Sequence, residues 1–164
     1  MTDELTEEPA GIVDRARGPA RRRDFWRNNG SATLVVALGG ALGALARYGL
    51  AQGLPGRPGH FPLATFVTNV AGCFAIGVLM IAVTEIWTVH RLLRPFLGVG
   101  VLGGFTTFST YANEVRALLQ PGTIVVAAGY LAGTLICALL ATLTAMWLTR
   151  AGYERLRHGW RRAS

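Results

Sequence analysis

Apolar residues in this chain come in long runs almost free of charge. Four stretches reach the roughly 20 residues that a bilayer crossing needs: Ser31 to Leu50, Phe61 to Trp87, Pro95 to Leu118 and Thr123 to Thr149. The pattern predicts an all-α membrane protein of four transmembrane helices forming one domain over residues 31–149, with charged tails at 1–30 and 150–164. The spacers between the runs are too short for further domains.

The third run differs from the others because Gly103-Gly104 is followed by Thr106, Thr107, Ser109 and Thr110, in the string GGFTTFSTY. Adjacent glycines weaken a helix, and hydroxyls compete for its backbone hydrogen bonds. Two outcomes stay open. Either the helix is continuous and its hydroxyls bond back to the preceding turn, or it breaks near its middle. Freed carbonyls would then need a partner, a wet cavity or a cation, since lipid satisfies none of them.

Other polar groups lie at similar depth. Asn69 brings a carboxamide into the second run, with Thr65 and Thr68 one turn or less away, and Tyr130 and Thr134 share a face of the fourth run at i, i+4. A lone Asn also serves as interhelical glue. Arg47, near one end of the first run, either snorkels to headgroups or pairs with Glu114, the carboxylate close to the end of the third run. No Asp or Glu lies near the middle of a run, which removes the usual proton-coupling group of a transporter and favours a channel.

Composition agrees with the membrane reading, at 51% hydrophobic and 15% charged residues. The net charge of +7 is carried by arginine alone, as the chain has no lysine. Four crossings put both tails and the Thr88–Arg94 loop on one side, with thirteen arginines against two (Arg57 and Arg116) opposite. The positive-inside rule then places both termini in the cytoplasm of a plasma-membrane protein. The first 30 residues lack the apolar core of a signal peptide and read as a flexible tail. Basic tails beside membrane helices meet anionic lipid. No nucleic-acid partner is expected, because no aromatic interleaving or known module accompanies the charge. Cys73 and Cys137 read as small packing residues. His60, His90 and His158 are too scattered for catalysis or metal binding, so no enzyme is expected. Gly39 and Gly43, Gly72 and Gly77, and Gly129 and Gly133 mark faces where helices approach closely.

Three segments, GGALGALARYGL, ATFVTNVAGCFAIG and GVGVLGGFTTFSTYANE, occur in that order, and with them the region from about Ala37 to Thr149 resembles the small fluoride channels called Fluc or camphor-resistance (CrcB-type) proteins. The resemblance implies an antiparallel dimer of four-helix subunits with two narrow fluoride paths at the interface. It also implies a buried structural sodium ion, held by main-chain carbonyls at the third-helix break, here Gly103 and Thr106. A hard cation prefers such oxygen ligands. The fluoride path is carried over onto Asn69, Phe108, Thr65, Thr107, Ser109, Tyr130 and Thr134. Donors there would replace part of the anion's hydration shell, and aromatic edges carry positive potential. Narrowness would exclude chloride.

Two features depart from the family pattern. Tyr111 stands where a second pore phenylalanine is expected, adding bulk and a donor that could alter or close one path. The arginine bias suits one fixed orientation and sits poorly with an antiparallel pair of identical chains, so of the two partners, a second copy or an inverted paralogue, the inverted paralogue is expected. The implied function is passive export of fluoride, which enters cells as HF, and hence lower fluoride toxicity. Two alternatives are a small proton-coupled four-helix exporter, which would need a carboxylate in an early helix, and a non-conducting membrane partner or scaffold.

Overall fold

The computed structural model describes residues 19–86 and 91–163, with side chains over 30–86 and 91–157. The expected 1–30 tail and the Thr88–Arg94 loop fall partly outside these. The described residues are helical with no strand. Helix α1 spans Pro19–Gly53 and α2 Leu63–Ile81, continued by a π-helical turn, π1, over Ala82–Ile86. The next run is divided into a π-helix, π2 (Pro95–Leu102), one helical turn, α3 (Gly103–Phe105), and α4 (Phe108–Leu118). Helix α5 runs from Ile124 to Ala163.

Among the described residues three segments are long and apolar enough to cross a membrane: Gly30–Gly53, Leu63–Ile86 and Ile124–Arg157. The chain is therefore a multi-pass membrane protein. The boundaries expected at 30/31 and 149/150 do not interrupt the helices. Pro19 starts α1, a position where its missing N–H costs no bond, and the Arg- and Ala-rich ends are good helix formers. At 1.5 Å per residue α5 is about 60 Å long, twice a hydrocarbon core, so its end projects beyond the bilayer. There Arg150 Nε donates to both oxygens of Glu85 at 3.1 Å, tying α5 to the end of π1.

The helices pack chiefly as two pairs, α1 against π2 and α3, and α2 against α5. In the first pair backbone meets backbone. A Cβ on Gly39 would lie 2.6 Å from the Phe96 carbonyl oxygen, and one on Gly100 2.9 Å from that of Val36. Gly43 faces the Val101 carbonyl and Gly104 that of Gly40 in the same way. In the second pair a Cβ on Gly77 would meet Thr142 O at 2.5 Å, and Thr142 Oγ1 donates to Cys73 O at 3.1 Å. Gly129 and Gly133 have open space around them, so this expected pair makes no close approach within the subunit. Buried apolar residues are few, including Ile81, Ala127, Tyr130 and Ala145, while large side chains such as Leu38, Leu135, Leu139 and Trp147 point outward. That inside-out distribution fits a bundle surrounded by lipid.

Candidate functional site

Thr106 and Thr107 leave the helical region, with φ/ψ of −74/158 and −149/125, and separate α3 from α4. Asn69 of α2 closes the gap. Its Nδ2 donates to the Thr107 carbonyl at 3.0 Å, and the Thr107 N–H donates to its Oδ1 at 2.9 Å. The carboxamide acts as a surrogate peptide group, satisfying both backbone groups of the extended residue. Gly72, one turn on, leaves room for the Thr106 methyl group and so lets α2 come this close.

Hydroxyls complete the ends of the break. Thr106 Oγ1 and N–H both donate to Leu102 O at 3.0 Å, closing α3. Thr107 is the N-cap of α4, its Oγ1 accepting the Thr110 N–H at 3.2 Å. The carbonyls of Gly103 and Thr106 are among those that lose their regular donors as a result. In a continuous helix the Thr107 N–H would donate to Gly103 O and the Thr110 N–H to Thr106 O. Here the first goes to Asn69 and the second to the Thr107 hydroxyl.

A cleft of about 260 Å³ lies against the break. Asn69, Thr107, Phe108, Tyr111 and Thr134, all expected on the path, line it. Thr134 Oγ1 is buried with no hydrogen-bond partner within the subunit, and Phe108 is 79% exposed. Cys73 and Thr106 also line the cleft. Cys73 passed as a packing residue in the sequence although it lies four positions after Asn69, the spacing that puts two side chains on one helix face.

The other expected residues gather elsewhere. Thr65 Oγ1 donates to Glu114 Oε1 at 2.9 Å and the Tyr130 hydroxyl to Glu114 Oε2 at 2.7 Å. Glu114 is thus the centre of a polar cluster behind the cleft, and both hydroxyl protons are engaged there. Ser109 is exposed, its Oγ 3.4 Å from Thr107 Oγ1. Arg47 is half-buried, its Nε buried and without a hydrogen-bond partner, while Glu114 accepts from Thr65 and Tyr130.

Tyr111 lines the cleft and is held from α5. The hydroxyl donates to Leu131 O at 2.7 Å and so points into α5, while the ring meets Tyr130 edge-on at 5.1 Å and Phe108 at 5.9 Å. Because Leu131 O keeps its helical donor, Tyr111→Phe should cost only about 1 kcal/mol, read from thermal unfolding of the full chain in detergent. A tenfold change in anion flux at unaltered stability would instead put the hydroxyl in the path.

Residues 34–146 match the family described as CrcB-like protein, Camphor Resistance. The chain belongs to this family. It is 61% identical over 122 residues to a Nocardia farcinica protein named fluoride-specific ion channel FluC 2, covering 72% of this chain and 87% of the relative. Streptomyces avermitilis has two further relatives. Its FluC 2 is 52% identical over 132 residues, 80% of this chain and 82% of that protein. Its FluC 3 is 43% identical over 130 residues, 76% and 64% respectively. These CrcB-type relatives are named as ion channels and not as enzymes.

Proposed function

We propose that this CrcB-family chain forms a fluoride-selective channel that passively exports fluoride across the plasma membrane and thereby lowers its toxicity. The observation that carries the reading is the Asn69–Thr107 pairing across a break at membrane depth, beside a cleft where Phe108 and the unpartnered Thr134 hydroxyl converge. The inside-negative potential drives the anion outward with about 2.3 kcal/mol per 100 mV. The divided run π2–α3–α4 is the fourth crossing, and both termini lie in the cytoplasm.

In this reading the exposed Phe108 and the cleft are half of a path completed by an antiparallel partner. The partner is a second copy or an inverted paralogue, and the occurrence of two relatives in one Streptomyces species supports the second option. Asn69 fixes the break and Thr134 offers its hydroxyl to the anion. The carbonyls of Gly103 and Thr106 fit a structural sodium ion, since the donors that a continuous helix would give them are diverted and a hard cation takes carbonyl oxygen. Sodium there would supply the positive charge that holds the two broken helices together.

Expression of the full chain in a bacterium deprived of its own fluoride exporter should restore growth at fluoride concentrations that stop the parent strain. Survival no better than that of the empty-vector strain, with the chain present in the membrane, would count against export by this chain alone.

A further inference from the structure

The loop between α1 and α2 is shaped by its own residues. Arg57-Pro58-Gly59-His60 makes a type II turn, with the His60 N–H donating to Arg57 O at 3.1 Å and Gly59, at φ 77, in the position that needs a positive φ. Pro62 follows as the N-cap of α2 and disfavours helical backbone at Phe61 before it. Fixed between turn and proline, Phe61 turns its ring onto the end of the bundle. There it meets Phe66 edge-on at 5.3 Å and Tyr130 edge-on at 5.1 Å. Phe61 keeps 39% of its surface exposed, whereas Tyr130 beneath it keeps none.

Tyr130 passes this contact inward. Its ring meets the Tyr111 ring edge-on at 5.1 Å, and Tyr111 lies 5.9 Å from Phe108 in the Asn69 cleft. Four rings therefore connect the surface loop to the wall of the cleft. The Tyr111 hydroxyl donates to Leu131 O, next to Tyr130 on α5, so the two tyrosines are held as one unit. We infer that Phe61 is a positioning residue for selection in the path. It closes the end of the bundle over Tyr130, fixes that ring against Tyr111, and so keeps the Phe108 and Tyr111 edges at the spacing that admits fluoride and refuses chloride. Close-packed interiors transmit displacement, and a site holds its geometry only as well as the side chains packed behind it. Without the Phe61 ring, Tyr130 gains a void on its outer side into which it tilts, and Tyr111 loses its backing. Phe61 touches no anion in this arrangement and acts through Tyr130.

The inference rests on the fluoride reading, and the test separates the two. Full-length wild type, Phe61→Leu, Phe61→Ala and Phe61→Tyr are reconstituted in liposomes, and the ratio of fluoride to chloride efflux is measured for each. Leucine keeps an apolar cover for folding but has no ring edge, so it and alanine should both lower the ratio at least about tenfold, chiefly by letting chloride pass. Tyrosine keeps the ring, its hydroxyl reaching water on the exposed side, and should hold the ratio within about twofold of wild type. An unchanged ratio in leucine and alanine, whatever their rates, or a ratio in tyrosine as low as in alanine, would overturn the assignment. If wild type itself releases no fluoride, the lone-chain channel reading fails. The positioning role is then judged by amide hydrogen exchange of the same chains in detergent. Faster exchange over residues 108–111 in Phe61→Leu than in wild type and Phe61→Tyr sustains it, and equal exchange in all three ends it.

Discussion

Asn69→Ala should abolish the path, lowering fluoride efflux by at least about a hundredfold and the stability of the full chain by about 2–5 kcal/mol, because two backbone groups at membrane depth lose their partners together. The side chain gives one donor and one acceptor to Thr107, whose own neighbours are committed to Leu102 and to the α4 cap. Alanine supplies neither. Asn69→Asp separates the two jobs: a carboxylate still accepts the Thr107 N–H but opposes its carbonyl, and its charge repels an anion. It should therefore conduct as poorly as alanine. Efflux from the alanine variant within a fewfold of wild type, at equal protein content, would mean that the pairing is packing only.

The second large effect is expected at Gly43, where a Cβ would collide with the Val101 carbonyl and lie 2.7 Å from the Phe105 nitrogen. Both obstacles are backbone, so no rotamer change relieves them. Gly43→Ala should push α1 away from π2 and α3 and cost about 3 kcal/mol or more, at the upper end of overpacking. Gly129→Ala and Gly133→Ala, in open space, should leave the subunit unchanged or gain up to about 1 kcal/mol of helix propensity. Thermal unfolding of the three variants in detergent checks this order. A Gly43 variant as stable as wild type would show that the α1 contact is looser than its geometry.

These two sites show how far residue patterns reach. Apolar run length located three helices of membrane length, because a membrane span is set by about 20 residues of low polarity. Helices α1 and α5 run on past the apolar runs, since charge marks where lipid stops, not where helical hydrogen bonding stops. GGFTTFSTY and Asn69 were visible as oddities, but composition left a continuous helix open. The pairing of Asn69 with Thr107 depends on α2 lying beside the break, which Gly72 permits and no local pattern announces. Glycine spacing was an uneven guide. Gly39 and Gly43 touch backbone, yet Gly129 and Gly133, at the same spacing, touch nothing in the subunit. That Thr65 and Tyr130 both donate to Glu114 depends on three helices meeting there, which no local pattern announces.

Tyr111 shows the opposite limit. Residue type alone gives the Tyr111 hydroxyl no direction, and here it bonds the Leu131 carbonyl. The substitution changes what holds the ring more than what the ring presents to the cleft.

The most direct measurement is electrode-recorded efflux from liposomes holding the purified full chain, loaded with fluoride or with chloride, beside the Asn69→Ala variant. The account predicts rapid fluoride release by wild type, chloride retained as in protein-free vesicles, and fluoride retained by the variant. Chloride released as fast as fluoride, or fluoride released equally by the variant, would contradict it.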